Sequence, residues 1–210
     1  AALVATSVQL PAATEVSAKE IPTDGLVASF TFDDNTLNNA VSGGAAASAV
    51  VTGITAYDGN VQYVAGKSGK AVKLGEYGLE VNQKQLGDNY TVSVWMKPDG
   101  KLASNQAVLF LGDDTRAGTE KWYGLAGKNG TNTVKWWKSG TTPSGSAQWV
   151  TTASPVIGSD DWHHVVMTGS KDTATLYVDG QLVTADSGQS NPDKDSTNPL
   201  DTSTSDIYLG

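Results

Sequence analysis

No cysteine occurs anywhere in this 210-residue chain, which removes a disulfide framework and any thiolate for metal binding or nucleophilic catalysis. Basic residues are scarce, since 14 lysines and arginines against 22 aspartates and glutamates leave a formal net charge of −8. Phosphate backbones and anionic membrane surfaces both want a basic footprint, so the charge argues against nucleic acid and against membrane binding. A neutral sugar meets no such objection. No apolar stretch approaches the ~20 residues that cross a bilayer as a helix, so no membrane insertion is expected. Helix patterns are nearly absent. A Gly-x-Ser-x-Gly elbow is missing too, and nothing sets a serine beside either of the 2 histidines, so Ser-His-Asp chemistry has no support.

What the chain does have is short alternation. With 39% hydrophobic and 17% charged residues, it can bury the core of one large domain. The run 161–183, DWHHVVMTGSKDTATLYVDGQLV, sets Trp162, His164 and Val166 on one side of a strand and His163, Val165 and Met167 on the other. That is the period-two signature of β structure. Asp179-Gly180 then supplies the positive backbone angles of a tight hairpin. Similar segments recur at 26–32, 50–54, 61–64, 71–74, 78–81, 90–97, 106–112, 123–127, 133–138, 148–152, 173–178 and 206–209. Strands at this spacing predict an all-β fold, a two-layer antiparallel β-sandwich. Residues 1–23 read as a leader, a linker or an added edge strand, and 24–210 as the sandwich. The polar stretch 185–205, with two Asn-Pro pairs, reads as a turn or excursion.

Four motifs carry a family resemblance. Trp162-His163-His164-Val165 with Leu176-Tyr177-Val178-Asp179-Gly180, the opening GLVASFTFDD at 25–34, GKSGKAVKL at 66–74 and YTVSVWMKP at 90–98 appear in order. Together they resemble the laminin G-like modules of the concanavalin A-like lectin/glucanase superfamily, from about residue 25 to 210. The resemblance implies a jelly-roll sandwich but not a function, because the superfamily holds enzymes and binding modules. It also implies a last strand after Ile207-Tyr208-Leu209-Gly210 that is not in this sequence. Either residues 1–23 cover the edge so exposed, or the chain is a fragment of a longer protein, the reading favoured here.

Related glucanases carry Glu-x-Asp-x-x-Glu on one strand. Here Glu76-Tyr77-Gly78-Leu79-Glu80 keeps two glutamates but lacks the aspartate, so a solvated strand edge is the better reading of this pair than a glycosidase dyad. His163 and His164 fall on opposite faces of one strand and cannot be joint metal ligands; His164, beside Trp162 and Val166, reads as a core imidazole. Trp122, Tyr123, Trp136, Trp137 and Trp149 crowd three consecutive strands. Sugars lay C–H faces on aromatic rings while amides and charged groups take their hydroxyls, so Trp122 with Trp136 or Trp137 is expected to be exposed, near Asn129, Asn132 and Lys138. The alternative, that these rings fill the core, stays open. The resemblance further implies a structural calcium in the first loop, with Asp33, Asp34 and Asn38 as hard oxygen ligands; Asp113-Asp114 and the Asp193/Asp195 pair are weaker candidates.

The combined expectation is a noncatalytic carbohydrate-binding or adhesive module, with a glycan or polysaccharide as ligand and other domains of the same polypeptide as partners. A glycan-active enzyme and a structural spacer are the alternatives. Few basic residues and abundant Thr, Ser, Asn and Gly fit a bacterial protein that is secreted or surface-attached. The Ala-Ala-Leu-Val start is read either as the end left by signal-peptide cleavage, the reading favoured here, or merely as where this stretch of chain begins.

Overall fold

A computed structural model describes residues 24–51, 55–81, 89–100, 107–112, 122–127, 134–138, 148–154, 157, 160–169, 174–185 and 206–210. Its strands, in chain order, are β1 (Ser48–Val51), β2 (Thr55–Ala56), β3 (Gln62–Ala65), β4 (Lys70–Lys73), β5 (Gly78–Val81), β6 (Tyr90–Met96), β7 (Ala107–Gly112) and β8 (Trp122–Gly127). There follow β9 (Val134–Lys138), β10 (Gln148–Ser154), β11 (His163–Gly169), β12 (Ala174–Val178), β13 (Gln181–Leu182), β14 (Thr184–Ala185) and β15 (Asp206–Leu209). No helix occurs among the described residues. The strands pair antiparallel into a nine-stranded sheet, β14-β10-β9-β8-β7-β15-β5-β1-β2, a four-stranded sheet, β13-β12-β11-β6, and the separate β3-β4 ribbon.

Alternation accounts for the four-stranded sheet. In β6, Tyr90, Val92, Val94 and Met96 turn inward while Thr91, Ser93 and Trp95 stay exposed. In β11 the buried residues are His163, Val165 and Met167. The register sets Val165 against Val94 and Val178, so three valines close one row. Asp179 and Gly180, with φ of 51° and 76°, form the two-residue turn that lays Gln181 beside Val178. This is the hairpin that Asp-Gly predicts.

Two transverse rows organise the large sheet. Ala49, Leu79, Leu209, Leu109, Leu125, Trp136 and Val150 are successive cross-strand partners in one. The next runs Ser48, Glu80, Tyr208, Phe110, Gly124, Trp137 and Trp149. Leu79 and Leu109 of the first row are fully buried. Leu109 joins Val81 and Ile207 from this sheet to Tyr90, Val165, Met167, Leu176 and Val178 from the other in one core. The two sheets are therefore the layers of a jelly-roll sandwich, each fully buried aliphatic side chain contributing about 1.5–3 kcal/mol.

Segment 26–32 departs from expectation, because it carries no strand pairing. Ser29 N donates to Asn39 Oδ1 at 2.9 Å, Asn39 Nδ2 to Val27 O at 3.4 Å, and Ala40 N to Ser29 O at 2.8 Å. A side-chain amide has taken positions that a neighbouring strand's backbone would use. The chain then turns at Phe32, whose φ of 61° is unusual for a bulky residue. Residues 1–23 and 186–205, where the leader and most of the excursion are expected, lie outside the described residues.

Candidate functional site

Backbone register sorts the tryptophan-rich strands. Trp137 is the partner of Gly124 in β8 and of Trp149 in β10. Trp122 pairs with Gly112, an even number of residues from Gly124, so strand alternation gives it the same parity as Trp137. Trp136 instead falls in the row of buried Leu109, and Lys138 in that of buried Ile207, through Tyr123 and Leu111. The register thus groups Trp122, Trp137 and Trp149 and parts them from Trp136 and Lys138. The side chains of Trp122, Trp136, Trp137 and Lys138 lie outside the described residues, as do Asn129, Asn132, the Asp113-Asp114 pair, Asp193 and Asp195.

Glu80 sits in the row of Trp137, where Tyr208 Oη donates to its Oε1 at 3.2 Å. Glu76 does not share its strand, since β5 begins at Gly78. It sits in the preceding loop and accepts from Tyr57 Oη at 3.4 Å. Tyr57 stacks on Tyr77 at 4.5 Å and 24°; desolvation first and the Glu76 carboxylate next push its hydroxyl above the usual phenol range. The two glutamates are therefore held by different tyrosines on different elements, not paired along one strand as the sequence suggested.

In the first loop, Asp34 Oδ1 and Oδ2 each lie 2.8 Å from Thr36 Oγ1, and Oδ1 also accepts from Thr36 N at 3.0 Å. Asp33 Oδ1 accepts from Lys70 N at 2.8 Å, while Lys70 Nζ donates to Asn35 Oδ1 at 2.7 Å. Asn38 donates its backbone N–H to Thr36 Oγ1. Asp33, Asp34 and Asn38 do share one loop, but the carboxylates satisfy the chain's own donors and an ammonium lies beside them. No group of three His, Asp or Glu side chains converges among the described residues. A calcium ion here would share these carboxylate oxygens with the chain's own donors.

The histidines reverse the sequence reading. His163, not His164, is the core imidazole: it is 9% exposed, with Nδ1 2.7 Å from Asp179 Oδ2. His164 lies on the outer face and stacks on Trp95, ring centroids 4.8 Å apart at 16°. Its Nε2 is 2.8 Å from Ser93 Oγ, and its backbone N–H donates to Asp179 Oδ1 at 2.8 Å. Trp95 is 47% exposed, and Lys67 Nζ stands 5.2 Å from its ring centroid. Asp179 thus receives two hydrogen bonds. Burial alone would raise its carboxyl, but the bonds from His163 and the His164 N–H outweigh that and hold it below the usual carboxylate range. Sequence reasoning passed over Trp95. The available signal was its parity with Ser93, opposite the apolar set Val92, Val94 and Met96.

A family model described as the concanavalin A-like lectin/glucanases superfamily matches residues 74–206. No curated protein matches the chain in sequence. Among solved structures it is similar to domain 4 of AbnA, a GH43 extracellular arabinanase from Geobacillus stearothermophilus, in complex with arabinotriose, at 20% identity over 88% of this chain and 82% of that one, with a TM-score of 0.65. A looser likeness, TM-score 0.40 and 16% identity over 71% of this chain and 84% of that one, is to the carbohydrate-binding module CBM66 from Bacillus subtilis.

Proposed function

Since the chain belongs to the concanavalin A-like lectin/glucanase superfamily, we propose that it is a noncatalytic glycan-binding module that holds an extended polysaccharide across its nine-stranded sheet, beside other domains of a secreted or surface-attached bacterial polypeptide. One observation carries this reading: Tyr208, Phe110, Gly124, Trp137 and Trp149 are successive partners in a single row, adjacent to the row of buried Leu109. Adjacent rows belong to opposite faces of a sheet. Four strand spacings of ~4.8 Å make this an aromatic track of about 19 Å, and Gly124 contributes no side chain at its middle. Rings set along such a track are what sugar C–H faces rest upon. That the similar domain of AbnA was obtained with arabinotriose agrees with a saccharide ligand.

Titration with arabinotriose and a panel of neutral oligosaccharides, read by tryptophan fluorescence, tests the proposal. At least one is expected to quench it, and Trp137→Ala is expected to weaken that ligand about tenfold or more, ~1.4 kcal/mol. Binding indifferent to both Trp137→Ala and Trp149→Ala would abolish the track. Turnover of a polysaccharide that disappears in Glu80→Gln would favour an enzyme instead.

The structural calcium is a separate proposal at Asp33, Asp34 and Asn38, where the ion would share the Asp34 carboxylate with Thr36. A ligand that binds only the folded state stabilises by about 2.7 kcal/mol at one hundred times its dissociation constant. A melting temperature that rises with Ca²⁺ and falls with chelator supports the ion, and one that ignores both removes it.

A further inference from the structure

We propose that the outer face of the four-stranded sheet carries a second saccharide site, a Trp95–His164 platform fronted by Lys67 that takes an acidic sugar, a hexuronate. The ligand class rests on the reading above, but the site does not: it lies on the other layer of the sandwich and shares no residue with the Trp137 row.

Three observations bear on it. First, Trp95 leaves nearly half of its surface in water, at 47%, although a Trp whose only task is packing gains most by full burial. Second, the platform is rigid before any ligand arrives. Trp95 is stacked on His164, and His164 is fixed at its ring by Ser93 Oγ and at its backbone by Asp179 Oδ1. A surface already ordered loses little rotamer freedom on binding. Third, the charge beside it is the scarce one. The Lys67 ammonium lies 5.2 Å from the indole centroid and has no carboxylate partner among the described residues, in a chain whose net charge is −8.

Lys67 is held at this place by the turn that joins β3 to β4, where Gly66 N donates to Gly69 O at 2.9 Å. Its flexible four-carbon stem lets the ammonium follow a carboxylate. Next to the platform, Ser93, Val166, Tyr177 and Leu182 form a cross-strand row, and Leu182 is 44% exposed. The row offers further apolar and hydroxyl contacts over three strand spacings, about 14 Å. A hexuronate ring packs its apolar C–H face on the exposed part of the Trp95 indole, offers hydroxyls to Ser93 and Tyr177, and sets one carboxylate on Lys67. A neutral sugar leaves the ammonium with only the indole for a partner among the described residues.

The probe is tri-galacturonate, compared with its fully methyl-esterified form, titrated into ¹⁵N-labelled wild type and Trp137→Ala; Trp95→Phe identifies the Trp95 indole N–H signal. The acid is expected to move that signal in both proteins. Lys67→Met and esterification are each expected to weaken binding at least fivefold. Lys67 is exposed on a turn, so its replacement leaves the fold intact even where a change at Trp95 does not. A Trp95 indole unmoved by the acid overturns the site, and so does a shift that vanishes in Trp137→Ala. Equal binding of acid and ester, unchanged in Lys67→Met, overturns the acidic class. Movement of Trp95 by the acid when no neutral oligosaccharide binds upholds this site and counts only against the first.

Discussion

At the scale of residues, Asp179 joins the two strands of the β11–β12 hairpin through one carboxylate, with Oδ2 on the His163 ring and Oδ1 on the His164 N–H. Its φ of 51° is one that asparagine also tolerates. Asp179→Asn therefore keeps the turn and removes the charge, and with the side chain 43% exposed a loss of about 0.5–1.5 kcal/mol in denaturant unfolding is expected. The sign of the pH effect follows from the lowered folded value. The folded carboxylate holds protons more weakly than the unfolded one, so its contribution is complete above the ordinary carboxylate value near 3.9 and is lost as pH falls through the depressed folded value. Melting curves of wild type and Asp179→Asn should stay apart at neutral pH and converge in strong acid. Period two separated His163 from His164 correctly, yet it could not tell which set faces inward. Trp162 and Val166 made the wrong parity look apolar, and only pairing with Val94 and Val178 places His163, Val165 and Met167 in the core.

At the scale of elements, β6 and β11 pair along their full lengths, and Gly169 closes that register against Tyr90. A Cβ at Gly169 would strike the ring of Tyr90, itself buried. Gly169→Ala is expected to cost about 1–3 kcal/mol by overpacking, measurable as a lower denaturant midpoint with an unchanged slope. Both strands were legible in sequence because seven alternating residues outrun any turn, as were β5 and β15, bounded by turn residues. Segment 26–32 alternates equally well but does not pair. Alternation reports which way side chains face, not which backbone groups bond, and the competing partner was the amide of Asn39. The tryptophan strands were legible as strands, whereas their rows required register, which no single strand contains.

For the whole molecule, the proposed aromatic track predicts that the two rows of the large sheet separate stability from recognition. Leu109 stands in the core row, and Leu109→Ala is expected to cost about 2–5 kcal/mol of stability with glycan affinity unchanged in the folded fraction. Trp137→Ala is expected to do the reverse, weakening affinity with a melting temperature close to wild type. A calorimetric scan and a binding isotherm on both variants check the contrast; equal destabilisation by the two would assign Trp137 to the core.

The position of β15 has a bearing on biogenesis. This segment, at 206–209, lies between β7 and β5 in the middle of the large sheet, although both neighbours leave the ribosome far earlier. Until it emerges, each of them presents a naked edge to other nascent chains. Completion of the large sheet therefore waits on long-range pairing, and a cell making this protein has to shield two unsatisfied β edges while residues 113–205 are synthesised.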